Sequence, residues 1–277
     1  MTDSLAGVRV LVTRGGAAGD RDADDVRSRG GLPIVAPLTL IAPPEDAAPL
    51  AEAAAAWNRG EFDGVLITSA NAAEAFADAG ARPDSHTDTQ RAPLIAAVGP
   101  ATADALRARG FGPDLVPDTD FSAVGLSAAA IDHLGAAPLR LLLPVSSLAD
   151  DTLETALTRA GHRVERVTAY RTIAAPRDAA LETRVAAGDV DVILVLSGSG
   201  AREVARRFAP LPATIRLAAI GRPSARALAE QGLAADVIAD PHTVANLLDR
   251  VGDARASAAP AHPHTEPVPP AHGGSPA

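Results

Sequence analysis

Six short turns carry most of the groups in this chain that could do chemistry. They read Thr13-Arg14-Gly15-Gly16, Thr68-Ser69-Ala70-Asn71, Gly99-Pro100-Ala101-Thr102, Ser146-Ser147, Ser197-Gly198-Ser199-Gly200 and Gly221-Arg222-Pro223-Ser224. Each follows a short apolar run and precedes a helix-length segment. Two readings are open for each turn. Ser, Thr and Asn cap helices at such points and Pro is at home in a first helical turn. Alternatively, the unpaired N–H groups and partial positive charge of a helix N-terminus receive an anion. Recurrence of such turns favours a ligand with several carboxylates. None is a nucleotide site, because Thr13 to Gly19 lacks dinucleotide spacing and no Walker motif is present.

The remaining inventory narrows the reaction. There is no cysteine, which removes disulfides, thiolate nucleophiles and the common structural zinc sites. All 25 basic side chains are arginine, so Schiff-base chemistry and a P-loop lysine are excluded. His86, His133, His162 and His242 show no ligand-like pairing, and no metal or cofactor is expected. The single tyrosine, Tyr170, lies in an extended run with Val167, Ala169 and Arg171 around it. It is either a half-buried strand residue or a phenol able to donate a proton to a leaving group.

A formal charge of −9 argues against nucleic acid or an anionic membrane as the main partner. The N-terminal residues do not read as a signal peptide, and no run reaches the roughly 18 apolar residues of a membrane span. A cytoplasmic protein is expected. It is expected to be a monomer, since no apolar stripe is left over.

Strands expected at Val8–Val12, Gly64–Ile67, Leu94–Val98, Leu139–Leu143, Val190–Leu196 and Leu217–Ile220 alternate with amphipathic helices. That alternation predicts an α/β chain of parallel sheets flanked by helices. Leu153, Leu157 and Ala160 mark one helical face closed by Gly161, and Val244, Leu247, Leu248 and Val251 mark another. In parallel sheets ligands gather at the carboxyl ends of the strands, where these turns lie.

An internal repeat sets the organisation. Asp63 to Phe76 parallels Asp191 to Val204, and Ala97 to Leu106 parallels Ala219 to Leu228. Both copies continue to a further strand at Asp114 and Asp236. Val8 to Gly31 likewise matches Leu139 to Gly161, each followed by an extended segment. The expectation is two similar, flavodoxin-like domains joined by a two-stranded linker. Domain one is then 1–37 with 173–252, and domain two is 38–172. Residues 253–277, rich in Ala, Pro, Gly and His, read as a disordered tail. Its His262, His264 and His272 suggest no specific metal site.

From Val8 to Val251 the chain resembles the uroporphyrinogen-III synthase family. The matching signatures are Thr68-Ser69-Ala70-Asn71-Ala72, Ala97-Val98-Gly99-Pro100-Ala101-Thr102-Ala103, Val116-Pro117-Asp118 before Phe121-Ser122, Ala169-Tyr170-Arg171-Thr172, and Ala219 to Leu228. Leu196-Ser197-Gly198-Ser199 departs from the family pattern. The resemblance implies a HemD-like pair of α/β domains with the active site in a cleft between them. It implies a cofactor-free lyase that closes the linear tetrapyrrole hydroxymethylbilane and inverts its last pyrrole. By family position Tyr170 would be the proton donor. Arg14, Thr68, Ser69, Asn71, Thr102, Ser197, Ser199 and Ser224 would hold substrate carboxylates, largely through neighbouring N–H groups. The alternative reading is a two-domain small-molecule binding module without turnover, and a nucleotide-dependent enzyme is a weaker third.

Overall fold

The β-branched and Leu-rich runs become the strands of two sheets. The computed structural model describes residues 3–83, 92–135 and 137–258. In chain order it opens with β1 (Arg9–Val12), α1 (Gly16–Arg27), β2 (Leu32–Val35), β3 (Thr39–Ala42), α2 (Ala48–Asn58), β4 (Gly64–Ile67) and α3 (Ala70–Asp78). Next come β5 (Leu94–Ala97), α4 (Pro100–Ala108), α5 (Ala123–Leu134), β6 (Arg140–Ser146), α6 (Thr152–Arg159) and β7 (Arg163–Ala174). It closes with α7 (Ala179–Ala186), β8 (Val192–Val195), α8 (Gly198–Phe208), β9 (Arg216–Ala219), α9 (Arg222–Ala229), β10 (Val237–Ile238) and α10 (Val244–Ala258).

Two compact units result, one of Met1–Leu38 with the chain from Arg177 onward, the other of Thr39–Pro176. The first holds a parallel sheet in the order β10-β9-β8-β1-β2. Renumbered within the unit this is 2-1-3-4-5 from its β2 edge, a flavodoxin-like order. Its inner strands β1, β8 and β9 are buried on both faces, which is why they read as continuous apolar runs. Leu11 joins the core under α7, α8 and α9. Val10 and Val12 join the core under α1 and α10. Pro33 is tolerated in β2 because that strand is an edge.

The second unit has the order β3-β7-β6-β4-β5. Strands β7, β6, β4 and β5 run parallel, and Leu115 adds a bridge beside Ala96. Strand β3 follows the short turn after β2 and runs antiparallel to the end of β7, pairing Thr39–Ala42 with Arg171–Ala174. This sheet is therefore mixed, and its antiparallel pair is made by the two extended segments read from the sequence as a two-stranded linker. On one face Trp57, Phe76 and Phe111 build an aromatic core under α2, α3 and α4. The other face packs on α5 and α6. Gly161, at φ +96°, ends the α6 segment as the sequence suggests.

The aspartates of the repeat are explained by the backbone. Asp191 accepts the Arg9 N–H at 2.7 Å and Asp63 accepts the Arg140 N–H at 2.7 Å. Asp114 and Asp236 accept the Ile95 and Leu217 N–H groups at 2.9 and 2.7 Å. Each carboxylate thus ties a strand at the amino edge of its sheet, opposite the candidate turns.

The tail begins later than expected. Residues 253–258 continue α10, and Ala254 packs on the core the helix covers. Alanine supports a helix there that its low-complexity setting disguises. The expected tail from 259 to 277, with its three histidines, and His86 lie outside the described residues. No helix among the described residues is long and apolar enough to cross a membrane.

Candidate functional site

Because the strands are parallel, the turns that follow them collect at one sheet edge in each unit. In the Thr39–Pro176 unit the adjacent strands β6, β4 and β5 bring together Ser146-Ser147, Thr68 to Asn71 and Gly99 to Thr102. In the other unit β1, β8 and β9 bring together Thr13 to Gly16, Ser197 to Gly200 and Gly221 to Ser224.

Local geometry sorts these turns into two kinds. Ser69 and Ser197 occupy equivalent repeat positions and both cap helices, accepting from Ala72 N–H at 3.1 Å and Gly200 N–H at 3.0 Å. The helices α1, α4 and α9 instead start behind Gly15, Gly99 and Gly221 with no side-chain cap. Their first N–H groups have no side-chain acceptor at the cap. A side chain at Gly99 or Gly221 would press on Phe121 or His242, at 3.1 and 2.9 Å from an added Cβ.

Tyr170 joins two of the expected groups. Strand β7 lies beside β6 with Tyr170 opposite Ser146, and the Ser147 N–H donates to the Tyr170 carbonyl at 3.0 Å. The ring is packed in the aromatic core of this unit and only 8% exposed. Its hydroxyl lies 3.1 Å from Ser69 Oγ. The ring is thus a strand residue of the core, and its hydroxyl faces the turn after β4. Either oxygen can be the donor in this contact; in the arrangement where Ser69 donates, the phenol proton is free for another acceptor.

Tyr170 and Asn71 line a groove of about 370 Å³ between β3, α2 and α3. Thr68 lines a second hollow of about 240 Å³ at the same sheet edge, with Ser122, Asp150, Glu154 and Arg166. Hydrogen bonds from Thr152 and the nearby Arg166 guanidinium hold the Asp150 carboxyl below its usual range. Arg166 donates to the carbonyls of Ala149 and Asp150 at 2.5 and 2.9 Å, so it shapes the loop after β6.

The other sequence-derived residues are placed as follows. Thr102 and Ser224 sit at matching third positions of α4 and α9 and are buried, at 5% and 3% exposure. What those turns present is chiefly backbone. Arg14 is held through two N–H groups by the buried carboxylate of Asp22, at 2.5 and 2.6 Å. Ser197 and Ser199 hydroxyls bond each other at 3.0 Å. Arg166 and Glu74 escaped the sequence reading, because each borders its pocket through the fold and stands in no turn motif; His242, read there only as a histidine without a ligand partner, lies against Gly221. No group of three or more His, Cys, Asp or Glu side chains among the described residues is arranged to hold a metal.

Known proteins give a consistent comparison. Residues 20–249 match the family model described as uroporphyrinogen-III synthase HemD. A uroporphyrinogen-III synthase of Synechococcus elongatus is 35% identical over 170 residues, which is 60% of this chain and 61% of that protein. The match thus spans less than two thirds of that relative. A mutant uroporphyrinogen III synthase of Thermus thermophilus superposes with a TM-score of 0.60 at 20% identity, over 91% of this chain and all of that one. The Helicobacter pylori uroporphyrinogen-III synthetase superposes at 0.57 with 14% identity, over 90% and 100%. At these identities the two structures establish a shared fold.

Proposed function

The chain belongs to the uroporphyrinogen-III synthase family, and on that premise we propose that it is a lyase closing hydroxymethylbilane to uroporphyrinogen III with inversion of ring D. The observation that carries the reading is the Tyr170 hydroxyl, held by Ser69 at the carboxyl edge of the sheet and bordering a groove. In the proposed step the phenol protonates the terminal hydroxyl, the C–O bond breaks and water leaves. The pyrrole nitrogen supplies the electrons and keeps its proton, giving an azafulvenium cation beside the phenolate. The substituted carbon of ring D attacks it, and the spiro intermediate fragments and recloses with ring D turned over.

The substrate closes unaided to the wrong isomer, so the protein's task is mainly to impose geometry. The uncapped helix starts behind Gly15, Gly99 and Gly221 suit that task, offering N–H donors to the substrate's carboxylates. Thr68, Asn71, Thr102, Ser197, Ser199, Ser224 and Arg14 are assigned to the same work. The proposed enzyme is cytoplasmic, monomeric and free of cofactor and metal.

Product identity tests the proposal. Hydroxymethylbilane is supplied, the product oxidised to porphyrin and the isomers separated by chromatography. Type III with enzyme against type I in buffer is expected. Type I alone from folded protein, or stoichiometric uptake of the bilane without turnover, overturns the proposal in favour of a binding module.

A further inference from the structure

We propose that the groove beside Tyr170 receives the pyrrole that loses its hydroxyl, with Glu74 as the counter-anion of the cation formed on that ring; the inference rests on the function proposed above. The groove's walls are apolar, from Ile41, Pro44, Ala47, Leu50, Ala75 and Ala79. Its size, about 370 Å³, falls at the small end of ligand sites and suits one part of a tetrapyrrole. Four polar side chains border it: Tyr170, Asn71, Glu74 and Asp78. Asn71, Glu74 and Asp78 follow one another at three and four residues on one face of α3, the helix whose cap, Ser69, holds the phenol.

The two carboxylates differ. Asp78 is paired with Arg109, 2.5 Å away. Glu74 feels the same arginine only at longer range and makes no hydrogen bond among the described residues, so its carboxylate oxygens are open to a ligand. Glu74 is exposed at the rim of the apolar groove with the Arg109 charge in reach, so its carboxylate can turn toward positive charge that arises inside. The proposed first step supplies it. As Tyr170 gives its proton to the hydroxyl and the C–O bond breaks, the pyrrole nitrogen forms a double bond to carbon and its N–H becomes cationic. Glu74 accepts a hydrogen bond from that N–H, and the apolar walls strengthen the attraction. When ring D attacks, the electron pair returns to nitrogen and the charge leaves the groove. Glu74 then stabilises the passing cation in preference to the neutral substrate, the difference that raises kcat.

The test compares wild type, Glu74→Gln, Glu74→Asp and Ala51→Leu, the last narrowing the groove from its exposed rim. Steady-state kinetics, melting temperature and product isomers are measured for each. Glu74→Gln is expected to lower kcat about tenfold or more with KM within about twofold and melting unchanged. Glu74→Asp should recover part of the loss, and Ala51→Leu should lower kcat/KM. Type III from wild type with full kcat in Glu74→Gln overturns this inference alone, as does full activity in Ala51→Leu. Type I alone from wild type overturns the proposed function together with it.

Discussion

Replacing Tyr170 by Phe separates the chemical role of the phenol from the structural role of its ring. Phenylalanine keeps the ring in the aromatic core and removes one hydrogen bond, the 3.1 Å contact with Ser69. Ser69 Oγ keeps its bond from Ala72 N–H, so no buried group is orphaned. The cost to stability is therefore about 1 kcal/mol, a melting shift of about 2–4 °C. The rate should change far more. A general acid contributes about 10²–10⁴-fold, and a hydroxyl that departs unaided puts this one near the low end. A hundredfold loss corresponds to about 2.7 kcal/mol of activation free energy. Stopped-flow turnover with isomer analysis reads the rate, and calorimetry reads the fold. Ser69→Ala should also slow the reaction, at a further cost of about 1 kcal/mol for the lost cap. The double variant should be no slower than Tyr170→Phe alone, because the two hydroxyls act as one unit. A kcat within about twofold of wild type for Tyr170→Phe would refute the reasoning and leave Tyr170 a core residue only.

Asp191→Ala should lower stability by about 1 kcal/mol, a figure reduced for the partial exposure of the carboxylate. Hydrogen bonds from Arg9 depress this carboxyl's pKa, so the stabilisation is present above the ordinary value near ~3.9 and disappears as pH falls through the folded value. Urea titrations of both proteins should converge at low pH, and a constant gap would exclude the ion pair. Gly19→Ala would set a Cβ 2.2 Å from the Arg14 carbonyl, so α1 or its turn must shift, at about 2 kcal/mol; an unchanged urea midpoint would contradict this. His162 is 3% exposed with neither ring nitrogen hydrogen-bonded among the described residues. His162→Leu should therefore be neutral or stabilising by about 1 kcal/mol, and a loss above that would reveal a polar partner. Arg202→Ala, on the exposed start of α8, should raise KM a few-fold with kcat and melting held, and a fall in kcat instead would move Arg202 into the chemical step.

What the sequence made legible was whatever repeats or alternates locally. Continuous apolar runs announced β4, β5 and β8, since parallel strands covered on both faces need no polar side. The capping readings of Ser69 and Ser197 needed only the spacing to the following helix. Strand β3 was harder to see, because the stretch from Leu32 to Ile41 looks uniformly extended, while its two halves pair in different sheets. Tyr170 could be singled out by its type, yet its contact with Ser69 spans 101 residues and depends on β7 lying two strands from β4. Glu74 gave no signal, since an acidic residue on a helix reads as a solvated face until the groove beside it is known.

The repeat itself separates frame from chemistry. Where both copies agree, the shared residues serve the backbone: the aspartates tie strand ends, and Ser69 and Ser197 cap α3 and α8. Where they differ, the side chains change in kind. In the second copy Thr68, Asn71 and Glu74 are replaced by Leu196, Ser199 and Arg202. The Thr39–Pro176 unit thus joins a phenol and an exposed carboxylate to an apolar groove, the combination on which the proposed cation site rests. The other unit presents an exposed arginine and two glycine-led helix starts, a combination suited to carboxylates. One frame is thus used twice with opposite charge at the same helical position, Glu74 in one unit and Arg202 in the other.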